Sequence, residues 1–435
     1  MSSHHRERPP HRGRPTRLGE PSIGRRATDT AHSQPPAPPS LRVLSSSGFG
    51  APDDARHLVS VLMDVIEEAA PLPAGRRQDL RRDVLELWRE LTSERSERQA
   101  DYIGEPAMLA AYLRYFLPWN VVRLVPLLAG LELDLAPGSR VLDLGSGPLT
   151  LPIALWIARP ELRERPLTLV CADRVKRVLE LGSAFLGGLA LRAAQPGSRG
   201  GLAWSLETRK GIFPFERSEN ETFSLVCAAN VFNESFWKAK GRLDERAAGL
   251  FEELAARTDE AGRILLVEPG DPRTGAMLAA LREACLLGGG SILAPCTHAR
   301  ACPMPGAFLS SAFRVDGAET AALGKVVTSR GRIKAPWCHF VIPDTAAPDR
   351  LSAFSSSVGL PKDRLVASYL YASPRTAAEP ARHAVRVISD SFRLSDGSRG
   401  RYACSSSGYT LVRGALADYP SGTLLRLDGA LPGAR

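Results

Sequence analysis

The sequence of 435 residues contains no apolar run of the roughly 18 residues that a membrane-spanning helix needs. Its N-terminus also lacks the apolar core of a secretory signal peptide. We therefore expect no membrane segment and a reducing compartment: the cytoplasm of a bacterium or, in a eukaryote, the mitochondrion. A hydrophobic content of 44% suits a globular protein with room for about two or three domains.

Lysine is scarce beside arginine, and the net charge of +9 is unevenly distributed. Residues 1–50 hold eight arginines against three acidic residues, are rich in proline and serine, and show almost no apolar periodicity. We predict that residues 1–50 form a disordered basic tail. Such an arm either adds salt-sensitive attraction to a polyanion or is simply solvated.

Residues 51–135 have the apolar spacing of helices and predict an N-terminal helical domain. Helices are expected from Asp53 onward, over 75–91, and over 106–131 with an interruption at Pro118. The aromatic side chains of the last segment are expected in the core.

Residues 136–290 alternate apolar, strand-like runs with helical segments. Strands that are apolar throughout and separated by helices predict an α/β fold, with a parallel sheet covered on both faces. Ligands of such sheets bind at the carboxyl ends of the strands. The residues expected along that rim are Gly145, Gly147, Asp173, Asn230 and Glu268.

The nicotinamide fingerprint G-x-G-x-x-G lacks its third glycine here, because Thr150 stands in that position. The remaining D-x-G-x-G, with Asp143, Gly145 and Gly147 after an apolar run, is typical of the first motif of class I S-adenosylmethionine (SAM) methyltransferases. Asp143 is expected to face the amino group of the methionine moiety or to cap the following helix. Asp173 is expected to accept the ribose hydroxyls or to cap a helix, and the two roles are compatible. An ordinary glycine turn is the alternative.

The substrate side lacks the Asn-Pro-Pro-aromatic signature of amino-directed methyltransferases, since the sequence there reads Ala-Asn-Val-Phe from residue 229. Asn230 is the candidate ligand contact in this loop, together with Asn233. The sequence offers no general base. Methyl transfer from a sulfonium is an in-line displacement that depends mainly on proximity and alignment, so catalysis stays open.

The seven cysteines include no C-x-x-C knuckle of the kind that zinc sites usually use. Three lie in apolar elements, where buried thiols are expected: Cys171, Cys227 and Cys285. Four lie outside long apolar runs and indicate a metal site rather than disulfides: Cys296, Cys302, Cys338 and Cys404. Their spacing fits a four-thiolate iron–sulfur cluster at least as well as zinc. His298 and His339 keep a mixed Cys/His zinc site open, and four unrelated reduced cysteines are the further alternative.

Five stretches carry a more specific pattern: Val141–Pro148, Glu268–Gly270, Ala294–Pro303, Trp337–Phe340 and Gly400–Ser405. Together they resemble the Rsm-twenty-two family. These are methyltransferase-like proteins associated with the small ribosomal subunit, including mitochondrial members that act in subunit assembly. The similarity covers roughly residues 100–415, and the cysteine motifs are its most specific part.

The resemblance implies a class I SAM-methyltransferase (Rossmann-like) sheet with an N-terminal helical region and a small C-terminal β subdomain. It implies SAM binding at Asp143, Gly145 and Gly147, and contact with small-subunit rRNA. It also implies a [4Fe–4S] cluster on four cysteines, which correspond to Cys296, Cys302, Cys338 and Cys404. The chain departs from the family pattern in two ways. Leu149 stands where a third glycine is frequent, and the spacer before Cys338 is long.

Short strands separated by Gly, Ser and Asp turns are predicted in the C-terminal region. They are Leu365–Tyr371, Ala384–Leu394, Gly400–Cys404, Tyr409–Val412 and Thr423–Leu427. The first, with Trp337–Ile342, is expected to supply the last two strands of the main sheet. The others are expected to form the subdomain that carries Cys404.

The predicted boundaries are therefore 136–290 for the SAM-methyltransferase-like core, 291–345 for a cysteine-bearing metal-binding insertion, and 346–435 for the last sheet strand and the β subdomain.

Arginines alternate with apolar residues in this last region and predict either an RNA-facing surface or a solvated strand face. They are Arg382, Arg386, Arg393, Arg399, Arg401 and Arg413.

We expect a monomer without a membrane partner, and three functions compete at this point. The first is a SAM-dependent rRNA methyltransferase, which the intact Asp143, Gly145, Gly147 and Asp173 favour. The second is a non-catalytic rRNA-binding assembly factor, which the missing base and Leu149 favour. The third is a small-molecule SAM methyltransferase.

Overall fold

The chain forms two sheets and a set of helices in the residues that the structure describes. The computed structural model describes residues 40–45, 49–92, 102–194, 201–215, 221–232, 241–304, 337–376, 384–406, 408–413 and 418–428. In chain order the strands are β1 Ser40–Ser45, β2 Arg140–Leu144, β3 Thr168–Asp173, β4 Ser205–Lys210, β5 Phe223–Ala229, β6 Thr258–Pro269, β7 Ser291–Ala294, β8 Phe340–Ile342, β9 Leu365–Ser373, β10 Ala384–Val387, β11 Phe392–Arg393, β12 Arg399–Ser405, β13 Gly408–Arg413 and β14 Leu424–Asp428. The α-helices are α1 Ala55–Ala69, α2 Leu80–Thr92, α3 Pro106–Ala111, α4 Leu117–Ala129, α5 Thr150–Ala158, α6 Lys176–Ala193, α7 Leu243–Ala255, α8 Pro272–Leu287 and α9 Asp349–Val358.

The larger sheet has the strand order β4-β3-β2-β5-β6-β9-β7, and β8 pairs with β9. The strands from β2 to β6 are parallel, whereas β9 is antiparallel to both of its neighbours. Alternate residues of β2 enter different cores, because successive strand residues point to opposite faces. Val141 packs with α1, α4, α5 and α6, and Leu142 packs with α7 and α8. The predicted α/β fold, with helices on both faces of the sheet, is confirmed.

The last two strands of this sheet are not the predicted pair. Leu365–Tyr371 lies within β9, as expected, but the edge strand is β7, which lies in the predicted cysteine-bearing insertion. Trp337–Ile342 supplies only the three residues of β8, paired with the start of β9. A strand of four residues carries too little periodicity to be recognised in a sequence, which is why β7 escapes prediction.

Aromatic residues of the N-terminal helices lie in the core, as predicted. A π-helical turn, Tyr112–Phe116, joins α3 to α4, and Tyr115 and Trp119 are buried beside it. The Tyr115 hydroxyl donates to the carbonyl oxygen of Leu360 at 2.8 Å, and the Trp119 indole N–H donates to Ser355 Oγ at 2.7 Å. Buried Tyr and Trp tips need such partners, so these bonds tie the helices to α9 and the loop after it.

A second, antiparallel sheet has the order β1-β14-β10-β12-β11, with β13 paired to β12. Its last five strands lie where the sequence predicts the β subdomain. Its edge strand β1 falls in residues 1–50, and the prediction of disorder is wrong for Ser40–Ser45. Backbone pairing with Leu424–Asp428, at the other end of the chain, orders these residues, and composition does not reveal such a partner. Residues 1–39 lie outside the described residues.

Phe49 links this N-terminal segment to both sheets. Its ring, 4% exposed, makes edge contacts with Phe340 and Tyr369, with centroid distances of 5.7 and 6.2 Å. Gly422, just before β14, lies so close that a Cβ there would collide with the Phe49 ring. A single buried aromatic side chain therefore packs against the larger sheet and the second sheet.

We expect Gly422→Ala to lower the free energy of unfolding by about 1–3 kcal/mol more than Gly397→Ala. Both glycines have a left-handed backbone, with φ of +92° and +83°, so both substitutions carry similar strain. Only Gly422 meets the Phe49 ring, since Gly397 faces open space among the described residues. Urea unfolding of the two variants measures the difference, and equal losses would contradict the packing of Phe49 on the second sheet.

Candidate functional site

The turn after β2 lies on the carboxyl-end rim of the larger sheet. Gly145 and Gly147 have φ of +61° and +52°, in the left-handed region that favours glycine. Leu149, the N-cap of α5, also has a positive φ of +54°. A left-handed backbone conformation at a leucine costs about 1 kcal/mol, and the complete burial of the Leu149 side chain offsets that cost. The position where the family often has glycine thus requires a left-handed backbone, which Leu149 adopts.

Helix α6 packs directly on this turn. A Cβ at Gly182 would collide with the backbone of Pro148, so glycine is needed for this approach. Gly145 is covered by Val231, whose Cγ2 would lie 2.5 Å from a Cβ built there. At Gly147, by contrast, a Cβ would have no described atom within 4 Å apart from those of the residues next to it in the chain. Of the two motif glycines, Gly147 therefore presents the open side.

Asp173 ends β3 and holds the glycine turn. Its Oδ2 accepts a hydrogen bond from the Gly147 amide at 2.9 Å, and its Oδ1 accepts one from the Val175 amide at 2.9 Å. Val175, not Asp173, is the N-cap of α6, so the carboxylate orders the approach to the helix instead of capping it. Both oxygens keep a second lone pair for further donors.

Asp143 is buried in the middle of the sheet, 1% exposed. Its Oδ1 accepts the Cys227 thiol at 3.7 Å, and its Oδ2 has no hydrogen-bond partner among the described residues. Burial raises the pKa of Asp143 to about 7. Asp143 does not cap α5, because Leu149 occupies that N-cap. A buried carboxyl group with an unpaired oxygen is suited to a cationic ligand group.

Asn230 follows β5 with a φ of +61° and lies on the same rim. Arg123 of α4 donates hydrogen bonds to Asn230 Oδ1 at 2.7 Å and to Asn120 Oδ1 at 3.0 Å. The fully buried Glu268, at the end of β6, accepts the two backbone amides that follow Asn230, at 3.1 and 2.9 Å. These contacts hold Asn230 in a backbone conformation that only a few non-glycine residues adopt. Asn233 lies outside the described residues.

Arg123 is a rim residue that sequence analysis did not identify. Burial lowers the pKa of its guanidinium. Arg123 is the one charged residue in α4, whose sequence is LPWNVVRLVPLLA. A lone charge in an otherwise apolar helix is the signal that would have indicated it, because such a charge needs polar partners elsewhere in the fold.

The cysteines separate as predicted into three buried thiols and four partly buried ones. Cys296 follows β7, Cys338 precedes β8, and Cys404 lies in β12 of the second sheet. Burial, together with the charges of Cys296, Cys302 and Cys404, raises the pKa of Cys338 well above its usual value. Thr297, next to Cys296, donates through its Oγ1 to the carbonyl oxygen of Cys404 at 3.4 Å, and the Cys338 thiol interacts with the other three, so the four cysteines lie in one neighbourhood.

No group of three or more His, Cys, Asp or Glu side chains in the described ranges is arranged to hold a single metal ion. His298 Nε2 lies 3.5 Å from Cys404 Sγ, and its Nδ1 is buried without a partner there. Burial lowers the pKa of His298 to about 4, so its imidazole is neutral at pH 7. His339 instead stacks on Trp337 and contacts Arg364. The metal assignment of the four cysteines stays a prediction.

The predicted arginine surface of the second sheet divides into two groups. Arg393, Arg399 and Arg413 are exposed. Arg386 instead donates to two backbone carbonyl oxygens, at 2.6 and 2.8 Å, and lies beside the cysteines. Arg382 lies outside the described residues. Arg401 is half-buried and donates to the carbonyl oxygen of Ser389 at 2.8 Å, so only part of the predicted arginine surface is exposed.

The strand order, with antiparallel β9 between β6 and β7, and the D-x-G-x-G turn after β2 define a methyltransferase-like α/β protein. Residues 134–311 match the family model described as mitochondrial small ribosomal subunit Rsm22. The predicted resemblance is confirmed over those residues. No curated protein matches the chain.

Solved structures similar to the chain include three methyltransferase-related proteins. The first is precorrin-6y C5,15-methyltransferase from Geobacter metallireducens, with 14% identity, 41% of this chain and 73% of that chain covered, and a TM-score of 0.26. The ribosomal protein L11 methylase from Lactobacillus delbrueckii subsp. bulgaricus has 14% identity, coverages of 39% and 69%, and a TM-score of 0.26. The complex of the Haloferax volcanii Trm112 methyltransferase activator with a methyltransferase has 12% identity, coverages of 60% and 91%, and a TM-score of 0.30. None of the helices in the described ranges combines the length and apolar character needed to span a bilayer.

Stability should fall between pH 4 and 7 because of Asp143. Its pKa is raised from 3.8 to about 7, so the folded protein holds this proton while the unfolded chain releases it. The resulting penalty on the folded state grows from about pH 4, is complete above about pH 7, and amounts to a few kcal/mol. Asp143→Asn removes the titrating group. Its unfolding free energy, measured in urea at several pH values, should exceed that of wild type increasingly toward pH 8. Parallel pH profiles would contradict the assignment.

Proposed function

We propose that the protein is a SAM-binding, methyltransferase-like factor that acts on or with small-subunit rRNA and carries a four-cysteine [4Fe–4S] cluster. The observation that carries the SAM part is the open side of Gly147, whose amide is bound by Asp173, in the turn that follows Asp143. The match to the Rsm22 family over residues 134–311 supports the ribosomal part. The cytoplasm or the mitochondrion is its proposed compartment, and a monomer its proposed state.

The residues of the rim fit SAM. The unpaired Oδ2 of Asp143 is suited to the ammonium group of the methionine moiety. Gly147 leaves room for the ligand to approach the backbone, and Asp173 keeps lone pairs for ribose hydroxyls. Bound SAM would supply an electrophilic methyl group. The part of this chain would be to bind and align it, since displacement needs mainly alignment.

Asn230 is the proposed contact on the substrate side. Arg123 binds its side-chain oxygen and thereby fixes the orientation of the amide. The amide nitrogen donates no hydrogen bond within the described ranges and is left for an acceptor on the substrate. Asn230 would thus orient a substrate beside the methyl group without removing a proton.

Two further functions are distinguished by experiment. The missing Asn-Pro-Pro-aromatic signature favours an assembly factor that binds SAM and rRNA without chemistry. A methyl-transfer assay on small-subunit particles decides between that factor and an enzyme, because SAM binding without transfer would exclude the enzyme. A small-molecule methyltransferase would bind SAM but would not co-sediment with the subunit at low salt.

The cysteine neighbourhood fits a cluster of four irons. It offers four thiols from both sheets, the donor set that [4Fe–4S] clusters use. The thiolates around a four-iron cluster lie further apart than those around one metal ion. The described residues contain no group close enough to hold one ion, but a cluster does not need such a group. Zinc, with His298 as one ligand, is the alternative. Metal analysis of protein purified without oxygen distinguishes the two.

SAM binding should depend on Gly182. Gly182→Ala would push α6 away from the glycine turn, and we expect at least about a tenfold loss of SAM affinity, as for any displaced binding backbone. Gly187→Ala, on the same helix and facing open space among the described residues, should leave affinity unchanged and raise stability by about 0.5–1 kcal/mol. Calorimetric titration with SAM measures both variants. Equal affinities would remove the turn from the binding site.

Iron content should depend on Cys404 but not on Cys285. Cys404→Ser removes one proposed ligand from the second sheet and should release most of the iron. Cys285→Ser makes the same atomic change at a thiol buried in α8 and should keep it. Iron and zinc are measured in both variants after purification without oxygen. Stoichiometric zinc in a colourless wild-type protein would overturn the iron–sulfur assignment.

A further inference from the structure

Arg282 of α8 is buried against the loop that carries Cys296 and Cys302, and it is 2% exposed. Its Nε donates a hydrogen bond to Cys296 Sγ at 3.2 Å. Its Nη2 donates to the carbonyl oxygens of His298 and Arg300, at 2.8 and 2.6 Å. A guanidinium is costly to bury unless its donors are satisfied, and here the cysteine loop supplies the acceptors.

Glu283, the next residue of α8, holds the other end of the loop. Its Oε1 accepts the Cys302 amide at 3.1 Å and also pairs with Arg282. Two consecutive residues of one helix therefore contact both cysteines of the C-x5-C loop and two carbonyl groups between them. A loop held at this many points presents its thiols in place before any group binds.

A second arginine faces the same thiols from the other sheet. Arg386 of β10 lies opposite Cys404 in the antiparallel register of β10 and β12. The charges of Arg282 and Arg386 both act on Cys296 and Cys404. Two arginines, with the carboxylate of Glu283, leave the neighbourhood positive. Such a field suits a group that places negative charge on its sulfur ligands.

We infer that Arg282 is a positioning residue of the cysteine site: it holds the Cys296 sulfur in place and keeps its N–H···S hydrogen bond when that sulfur binds iron. The inference rests on the proposed cluster. One-electron reduction adds negative charge to a cluster, and a hydrogen bond to a ligand sulfur stabilises the reduced form more than the oxidised one. Arg282 therefore raises the reduction potential of the cluster and helps to retain its iron.

The test compares the full-length wild type with Arg282→Met, Arg282→Lys and Arg273→Met, all purified without oxygen. Arg273 is exposed in the first turn of the same helix and undergoes the same chemical change, so Arg273→Met is the matched control. Iron content, the EPR spectrum after one-electron reduction by dithionite, and the reduction potential are measured. Arg282→Met should lose at least about half of the iron, because the Cys296 sulfur loses the group that orients it, and its remaining cluster should titrate at a more negative potential. Arg282→Lys should recover part of both changes, and Arg273→Met should match wild type.

An unchanged EPR spectrum and reduction potential in Arg282→Met would overturn the inference and leave the cluster itself standing. If Arg282→Met does not fold, Arg282→Lys carries the same comparison, because it keeps the charge but loses the forked donor geometry.

A second measurement separates this inference from the cluster. Hydrogen–deuterium exchange of residues 297–302 is followed in chelator-treated, metal-free protein. Arg282→Met should speed exchange of this segment by about tenfold relative to wild type and Arg273→Met, because local opening is no longer resisted by α8. If wild type binds no iron, the cluster proposal fails while this result still supports the positioning role. Exchange equal to wild type contradicts that role in either case.

Discussion

The pairing of β9 between β6 and β7 is the interaction on which the rest of the molecule depends. β9 runs antiparallel to its partners and pairs with β6 along most of its length, with β7 at its end and with β8 at its start. The chain reaches β9 through α9, which receives the indole of Trp119 from the N-terminal helices. Two strands that pair with β9 adjoin the cysteines along the chain. Cys296 follows β7, and Cys338 precedes β8. One strand thus supports the helical region and the cysteine neighbourhood together.

The rim of the sheet concentrates polar groups that a core would exclude. Glu268 accepts two backbone amides and Arg123 donates to two side-chain amide oxygens, and these bonds restrain the loop after β5. One oxygen of Asp143 and the Nε of Arg123 are nevertheless buried without a hydrogen-bond partner in the described chain. Proteins tolerate such local destabilisation mainly where function requires it. The unpaired oxygen of Asp143 and the open side of Gly147 are the features on which the proposal of a ligand at this end of the sheet rests.

Sequence reasoning was accurate where one element carries its own signal. The parallel strands and the glycine turn are local patterns of apolar runs and glycines, and the three buried thiols follow from apolar surroundings. It was wrong for β1, which is ordered by a partner at the opposite end of the chain, and for β7, which is too short to show a period. It also did not reveal that Asp173 bonds Gly147, or that Arg123 bonds Asn230, because those pairs are 26 and 107 residues apart.

The sequence by itself determined the class of the fold, the carboxyl-end rim of the parallel strands and the residue types present there. Helical and strand periods, a glycine turn and cysteine spacing are properties of neighbours along the chain. Only the tertiary structure decided which of those residues act together: α6 closing on the turn at Gly182, and Arg282 and Glu283 holding the loop of Cys296. Close approach and hydrogen bonding between distant segments depend on how the helices pack on the sheet, and no linear pattern encodes the distances that result.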